Sequence, residues 1–337
     1  MHSLTRSFIS LSLVASFAIS PIAQAQSDVR TDFSDVPKDH YAYDAVKYLL
    51  SREMISGYKD GTFRPEEEVN RAEAIKIIVA PLVARTATYK KTTFTDVASD
   101  AWYLPYVEWA RQQKVVSDGT TFSPSNAVKK AEFLKMLLLA YDSDPKAFGN
   151  IQLPLANDVT DPKSWDYPFM RLAIAFSLTS ASKNGYLSPE RNLTRGDVAI
   201  FLYRFFQYRA GQQTQALLTE TTDEISNVIT DLDSNDIQEA QNASIRALLA
   251  SMGAHESKPD EAVVKVAVKT TEGFRALVRS YQAWQDKDYD QVIKHANDAW
   301  YLGDEAKKIS PSAEGVANQL QKYAGNFADS ARKAKKS

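Results

Sequence analysis

The chain has 337 residues, 44% of them hydrophobic, with 40 Lys and Arg against 42 Asp and Glu, 4 His and no Cys. That length suggests about two domains, and the apolar share is large enough for true cores, which excludes wholesale disorder. A formal net charge of −2 lacks the basic surplus of a nucleic-acid binder, and the missing cysteines remove disulfides, thiol nucleophiles and Cys-type metal sites together.

Residues 1–25 read as a secretory signal. Arg6 supplies the positive start, Phe8 to Ile22 the apolar run, and Ala23-Gln24-Ala25 the small-x-small cleavage pattern. Ser10, Ser12, Ser16, Ser20 and Pro21 break the run too often for a retained span, and no cysteine follows it to carry a lipid. No other window is apolar enough to cross a bilayer, so no transmembrane segment is expected after signal removal. An exported chain of this kind must be held by packing and, at an envelope, by noncovalent contacts.

From residue 31 to residue 209 one pattern occurs three times. It opens with Asp-Val and an aromatic further on: Asp35-Val36 with Tyr41, Asp96-Val97 with Trp102, and Asp158-Val159 with Trp165. Short helical patterns follow, over Ala42 to Leu50, Tyr106 to Ala110 and Phe169 to Ala175. A turn comes next, holding Asp60-Gly61, Asp118-Gly119 or Asn184-Gly185 and closing on Pro65, Pro124 or Pro189. The Phe63, Phe122 or Leu187 two positions before the proline is placed to pack the loop onto the helices. Six residues after the proline stands a cation: Arg71, Lys130 and Arg195.

Asn70-x-x-Glu73 and Thr194-x-x-Asp197 have the form of capping boxes. The cation between them is not explained by capping, because a positive charge in the first turn opposes the helix macrodipole at a cost of about 0.3–1 kcal/mol. A salt bridge to a neighbouring repeat is one account of it. The other is an anion site made of the cation and free helix-terminal amides, with Arg able to grip a carboxylate in a fork and Lys130 offering a point charge only. The helices that follow, 72–83, 131–140 and 198–206, are apolar on nearly all sides and must be buried all round. One repeat cannot cover such a helix; three around a pseudo-threefold axis can.

These features resemble the S-layer homology (SLH) domain in three tandem copies. Its Thr-Arg-Ala-Glu motif is approached by Asn70-Arg71-Ala72-Glu73, by Lys129-Lys130-Ala131-Glu132 and, with two changes, by Thr194-Arg195-Gly196-Asp197. The resemblance implies an exported protein of the bacterial cell wall or surface whose partner is an acidic cell-wall glycan, one carrying pyruvate ketals or a comparable peptidoglycan-linked polymer. It places Arg71, Lys130 and Arg195 in the glycan-binding set, with Tyr41, Trp102 and Trp165 to stack on sugars and Gly57 and Gly61 in the first loop beside them; core packing is the competing role for the aromatics.

Beyond Ala210 amphipathic helical stripes take over: Leu218 to Leu232, Ile237 to a stop near Gly253, Val264 to Trp284, Val292 to Trp300, and Val316 to Phe327. Four or five helices predict a small bundle or hairpin array. Residues 287–302 resemble half a tetratricopeptide repeat. Asp231 to Asp236 imitates a calcium loop but lacks the required Gly and Glu, and reads as a turn between helices. His40, His255 and His295 lack metal-ligand spacing, and no phosphate loop, dinucleotide fingerprint or nucleophile elbow is present.

The expectation is therefore an all-α chain: signal peptide 1–25, SLH repeats 26–88, 89–148 and 149–209 as one pseudo-threefold unit, and a C-terminal helical domain 210–337. It is expected to be non-enzymatic and to need no metal or cofactor. The alternatives are an adaptor whose residues 210–337 bind a protein partner, and a wall-modifying hydrolase.

Overall fold

A computed structural model describes residues 33–84, 89 and 91–336, and every regular element among them is helical. The secretory signal expected over residues 1–25, and the start of the first repeat before residue 33, lie outside the described residues. The first half consists of three helix pairs. Their leading helices are α1 (Tyr43–Leu50), α3 (Leu104–Gln112) and α5 (Tyr167–Ala175); their second helices are α2 (Arg71–Val79), α4 (Lys130–Ala140) and α6 (Arg195–Arg209). α2 stops at Val79 rather than running to 83, because Pro81 has no N–H to continue the ladder. α6 runs further than its apolar core, to Arg209.

Each leading helix ends in the same reversal. Glu53, Lys114 and Ser177 adopt left-handed φ values of 56°, 60° and 55°. The next amide then turns back onto the helix, from Met54, Val115 and Leu178 to the carbonyls of Leu49, Ala110 and Ala173. The loop that follows is fastened by the aspartate of the Asp-Val opening. Asp35 accepts the amides of Phe63 and Arg64 (2.8 and 2.7 Å), Asp96 those of Phe122 and Ser123 (2.8 and 2.7 Å), and Asp158 those of Leu187 and Ser188 (2.9 and 2.7 Å). Arg64, Ser123 and Ser188, the residues before the prolines, are held at φ 59°, 61° and 53° by this grip. Phe63, Phe122 and Leu187 are thereby buried under their loops, as expected.

Burial alone would raise the pKa of Asp96, but the amides of Phe122 and Ser123, together with its own, outweigh it and hold the carboxyl below its usual value. Asp96→Ala leaves those amides without a charged acceptor and should destabilise the protein by about 2–3 kcal/mol. A urea titration checks this; a midpoint unchanged from wild type would show that the loop holds itself.

The three pairs close into a ring. Val69 donates its amide to Leu193, Leu193 to Val128, and Val128 to Val69, at 3.0, 3.0 and 2.9 Å, a cyclic triangle of backbone bonds about the pseudo-threefold axis. Around it, each loop seats the second helix of a neighbouring repeat. Carbonyls of Asn126 and Pro124 accept the first two amides of α2, those of Arg191 and Pro189 accept the first two of α4, and those of Glu67 and Pro65 accept the first two of α6. One apolar core runs through all three repeats, and α4 alone buries Phe133, Leu134, Met136, Leu137 and Leu138. At about 1.5–3 kcal/mol per large apolar side chain, this shared centre dominates the stability of the ring.

The remainder forms α7 (Thr214–Asp233), α8 (Ile237–Ser257), α9 (Ala262–Gln285), α10 (Tyr289–Ile309) and α11 (Glu314–Ala334), joined by short turns. Of the stretch read as a turn, Asp231 to Asp233 are the end of α7 and Ser234 to Asp236 connect it to α8, with Asp236 capping α8 through the Glu239 amide. α8 does not stop near Gly253 but passes through it. Its Ile245, Leu248 and Leu249 belong to the same core as the repeats, packed beside α5. Next to them Arg246, 1% exposed, bonds Glu224 of α7 at 2.6 and 2.9 Å, Glu239 at 2.8 Å and the Leu155 carbonyl of the third repeat at 3.1 Å. The five-helix array is thus fixed to the third repeat by both apolar packing and a satisfied buried charge. No described helix is long and apolar enough to cross a membrane.

Candidate functional site

The threefold geometry produces three grooves. Each has the first-turn cation of one repeat facing the loop of the next repeat and the capping-box acid of that repeat's second helix. The free amides expected at the helix starts are mostly taken. The first two amides of each helix go to neighbouring carbonyls; Asn70 takes the Glu73 amide and Thr194 the Asp197 amide. Lys129 has no acceptor to offer, so α4 keeps only the return half of its box, from the Lys129 amide to Glu132 at 3.1 Å. Anion recognition here falls to side chains.

The first groove is open. Arg195 donates from Nε to the Phe63 carbonyl at 2.8 Å and from a terminal nitrogen to the Ser56 carbonyl at 3.0 Å. Its guanidinium lies 4.6 Å from the Phe63 ring centroid and 5.0 Å from that of Tyr58. It pairs with no carboxylate among the described residues. The cleft beside it has a volume of about 440 Å³ and is lined by Gly57, Tyr58, Glu73, Lys76, Trp102 and Arg195, among others. That volume is within the roughly 300–1,000 Å³ of small-ligand sites. Lys76 Nζ sits 5.2 Å from the centroid of Trp102, which is 53% exposed. Two cations and a half-exposed indole on one cleft can take an acid group and a sugar face together.

The second groove holds the same parts in a closed state. Arg71 lies 5.0 Å from the Phe122 ring, but its terminal nitrogen is 3.0 Å from Glu132 Oε1. Here the salt bridge to a neighbouring repeat is the account that holds. Lys135 Nζ stands 5.5 Å from the centroid of Trp165, which is 50% exposed.

In the third groove the cation is withdrawn. Lys130 is 6% exposed and donates to the Leu187 carbonyl at 2.5 Å. Burial, with Arg191 adding repulsion, pulls its ammonium down to about 8. Asp197 faces away, gripped by Arg191 at 2.7 and 3.0 Å. Ile200 stands where Lys76 and Lys135 stand in the other helices.

Of the residues expected at a glycan site, Gly57, Trp102 and Arg195 therefore meet in one cleft. Arg71 and Trp165 flank the second groove, and Lys130 lies buried in the third. Tyr41 is 56% exposed and donates its hydroxyl to Glu66 at 2.9 Å. Gly61 is buried in the loop at φ 86°, a turn position favouring glycine, and does not line the cleft. Sequence reasoning missed Lys76 and Lys135. Their signal was a lysine five positions after Arg71 and after Lys130, in helices otherwise almost wholly apolar.

A ring of three loop-capped helix pairs with unequal cationic grooves is a tandem-repeat module. Residues 32–75, 93–134 and 160–199 match the family model of the S-layer homology domain, so the chain carries three of them. It is 28% identical over 186 residues to the S-layer protein EA1 of Bacillus anthracis, covering 55% of this chain and 20% of that one. Against the surface-layer 125 kDa protein of Lysinibacillus sphaericus it is 30% identical over 198 residues, 57% of this chain and 16% of the relative. An uncharacterized cell wall amidase of Bacillus anthracis is 28% identical over 193 residues, 56% of this chain and 34% of its own length. The chain thus spans about a sixth to a third of these three relatives. The domains and the surface-layer relatives mark an exported protein associated with the cell surface or wall.

Proposed function

We propose that the three SLH domains attach this protein noncovalently to an acidic cell-wall glycan, with the Arg195 cleft as the principal contact, and that its role is structural rather than enzymatic. The observation that carries this reading is Arg195 itself: a guanidinium oriented by two backbone carbonyls, without a carboxylate partner among the described residues, in a cleft with Lys76 and an exposed indole. Carbonyl oxygens orient the fork without neutralising it, so its charge is left for a ligand acid group. Gly57 lets the loop pack closely on Phe33 beside that fork. The surface-layer relatives support a structural role.

Cosedimentation with purified wall sacculi tests the reading. The mature chain should pellet, and Arg195→Ala should weaken binding by about ten- to a hundredfold, the worth of a charge-assisted bond of about 1.5–3 kcal/mol. Arg71→Ala should change it far less, because that guanidinium is already occupied. Pelleting unaffected by Arg195→Ala would defeat the proposal.

A second reading, recruitment of a protein partner by residues 210–337, draws on Trp300 and Tyr301, which lie exposed side by side on α10 with ring centroids 5.6 Å apart. A pulldown with the full chain and with a Trp300→Ala, Tyr301→Ala variant distinguishes an adaptor from a spacer.

A further inference from the structure

The geometry points to a separate ligand site in the five-helix array, a cleft between α9 and α10 in which Arg275 and Arg279 bind a phosphate group. It is independent of the glycan reading of the SLH grooves.

Arg275 and Arg279 stand one turn apart, at i and i+4, on the face of α9 that meets α10. The cleft they line has a volume of about 440 Å³, within the roughly 300–1,000 Å³ of small-ligand sites. Every other described arginine bonds a carboxylate or a backbone carbonyl. These two bond neither among the described residues. The acids on the same cleft are engaged by other cations or stand apart. Lys269 holds both Glu305, at 3.0 Å, and Glu272, at 3.6 Å. Asp298 lies 3.7 Å from His295 Nδ1.

The two guanidinium charges are therefore not neutralised by direct contact, and neighbouring groups register them. Arg275 is held below its usual pKa by burial first and then by Arg279, against the weaker pull of Glu272. After burial, the Arg279 charge also lowers the imidazole of His295, against the pull of Asp298. An incoming anion relieves this repulsion between like charges kept side by side.

The ligand class follows from charge and shape. A carboxylate carries one charge and one forked face, enough for a single guanidinium. A phosphate group on an ester carries about −1.5 to −2 charges and three acceptor oxygens, so it can bridge both forks. The Tyr301 side chain, 65% exposed, brings a hydroxyl donor to the same cleft. Ala276, Leu302 and the Tyr301 ring give the remaining space an apolar wall, suited to the organic body of a small phosphomonoester.

Calorimetry on the full chain, with glucose 1-phosphate, inorganic phosphate and glucose as probes, tests this. Glucose 1-phosphate should bind and glucose should not. Arg279→Gln should weaken that binding by about ten- to a hundredfold, and the double variant with Arg275→Gln should abolish it. Because Arg279 is exposed and Arg279→Gln removes one of two repelling charges, its melting temperature should not fall, so the loss is read on a folded protein. Arg195→Ala should leave the binding unchanged, which separates this site from the SLH cleft. Tighter binding of the ester than of inorganic phosphate supports a phosphate carried on an organic body; equal binding supports the free ion in the same site. No binding of either phosphate, binding indifferent to Arg279→Gln, or binding lost with Arg195→Ala overturns the inference and leaves the glycan reading untouched.

Discussion

Gly253→Val should lower stability by about 3 kcal/mol or more and the melting temperature by roughly 10 °C, measured by circular dichroism. A Cβ at this position would fall inside the van der Waals radius of the Ala175 carbonyl oxygen, with more backbone of α5 directly behind it. No side-chain rotamer relieves that clash. α8 must move away from α5, and Ile245, Leu248 and Leu249, which complete the core of the repeats, move with it. The buried Arg246 rides on the same helix, so its bond to the Leu155 carbonyl is strained as well. Glycine in a helix interior costs about 1 kcal/mol against alanine, and here the close approach of two helices offsets it. Gly325 of α11 supplies the contrast, since nothing lies near its would-be Cβ. Gly325→Ala should therefore stabilise by up to about 1 kcal/mol. If Gly253→Val melts like wild type, the five-helix array is not seated on the third repeat in this way.

What the sequence disclosed and what it withheld divide by the range of the interactions. The threefold pattern, the loops and the caps at Asn70 and Thr194 are local, and residues within a few positions of one another report them. The helical stripes beyond residue 210 were legible for the same reason: period and breaks alone predict four or five helices, and five are present. Gly253 was misread as a stop because a glycine in a helix looks the same whether it ends the helix or admits a neighbouring backbone. The loop aspartates bond amides more than twenty residues away, and nothing in Asp-Val distinguishes such a grip from a turn. The grooves were the least legible part. Arg71, Lys130 and Arg195 hold the same place in the repeat, with only Lys130 set apart by its chemistry, yet each fate is decided by another repeat: Glu132 reaches Arg71, the Leu187 carbonyl takes the Lys130 ammonium, and carbonyls of Ser56 and Phe63 orient Arg195 without neutralising it. The first two amides of each second helix are occupied for the same reason, since the carbonyls that take them arrive from neighbouring loops.

Two buried groups of opposite kind should give the protein a stability minimum near pH 8. Glu220 of α7 lies against the third repeat, with Oε2 accepting from Ser177 at 3.3 Å and Oε1 buried without a partner. Burial, reinforced by the charge of Glu224, pushes its carboxyl up to about 8, against the opposing pull of Arg204 and Arg246. The folded state therefore holds this proton more tightly than the unfolded state, whose carboxyl titrates near 4.5. Stability is fully present below pH 4.5 and is lost as pH rises through about 8, by about 5 kcal/mol at 1.36 kcal/mol per pH unit. Asp231, raised by burial to about 6, adds to the early part of that fall. Lys130 works in the opposite sense. Its folded pKa of about 8 lies below the ordinary 10.5, so between those values the unfolded state binds the extra proton and stability recovers by about 3 kcal/mol as pH rises. Urea midpoints followed from pH 5 to 10 should fall to about pH 8 and then climb. Glu220→Gln should flatten the descending limb between pH 6 and 8, and Lys130→Met, which keeps most of the buried stem, should remove the ascending one. A Lys130→Met profile that still climbs above pH 8 would place the lysine in water, and with it reopen the third groove as a binding site.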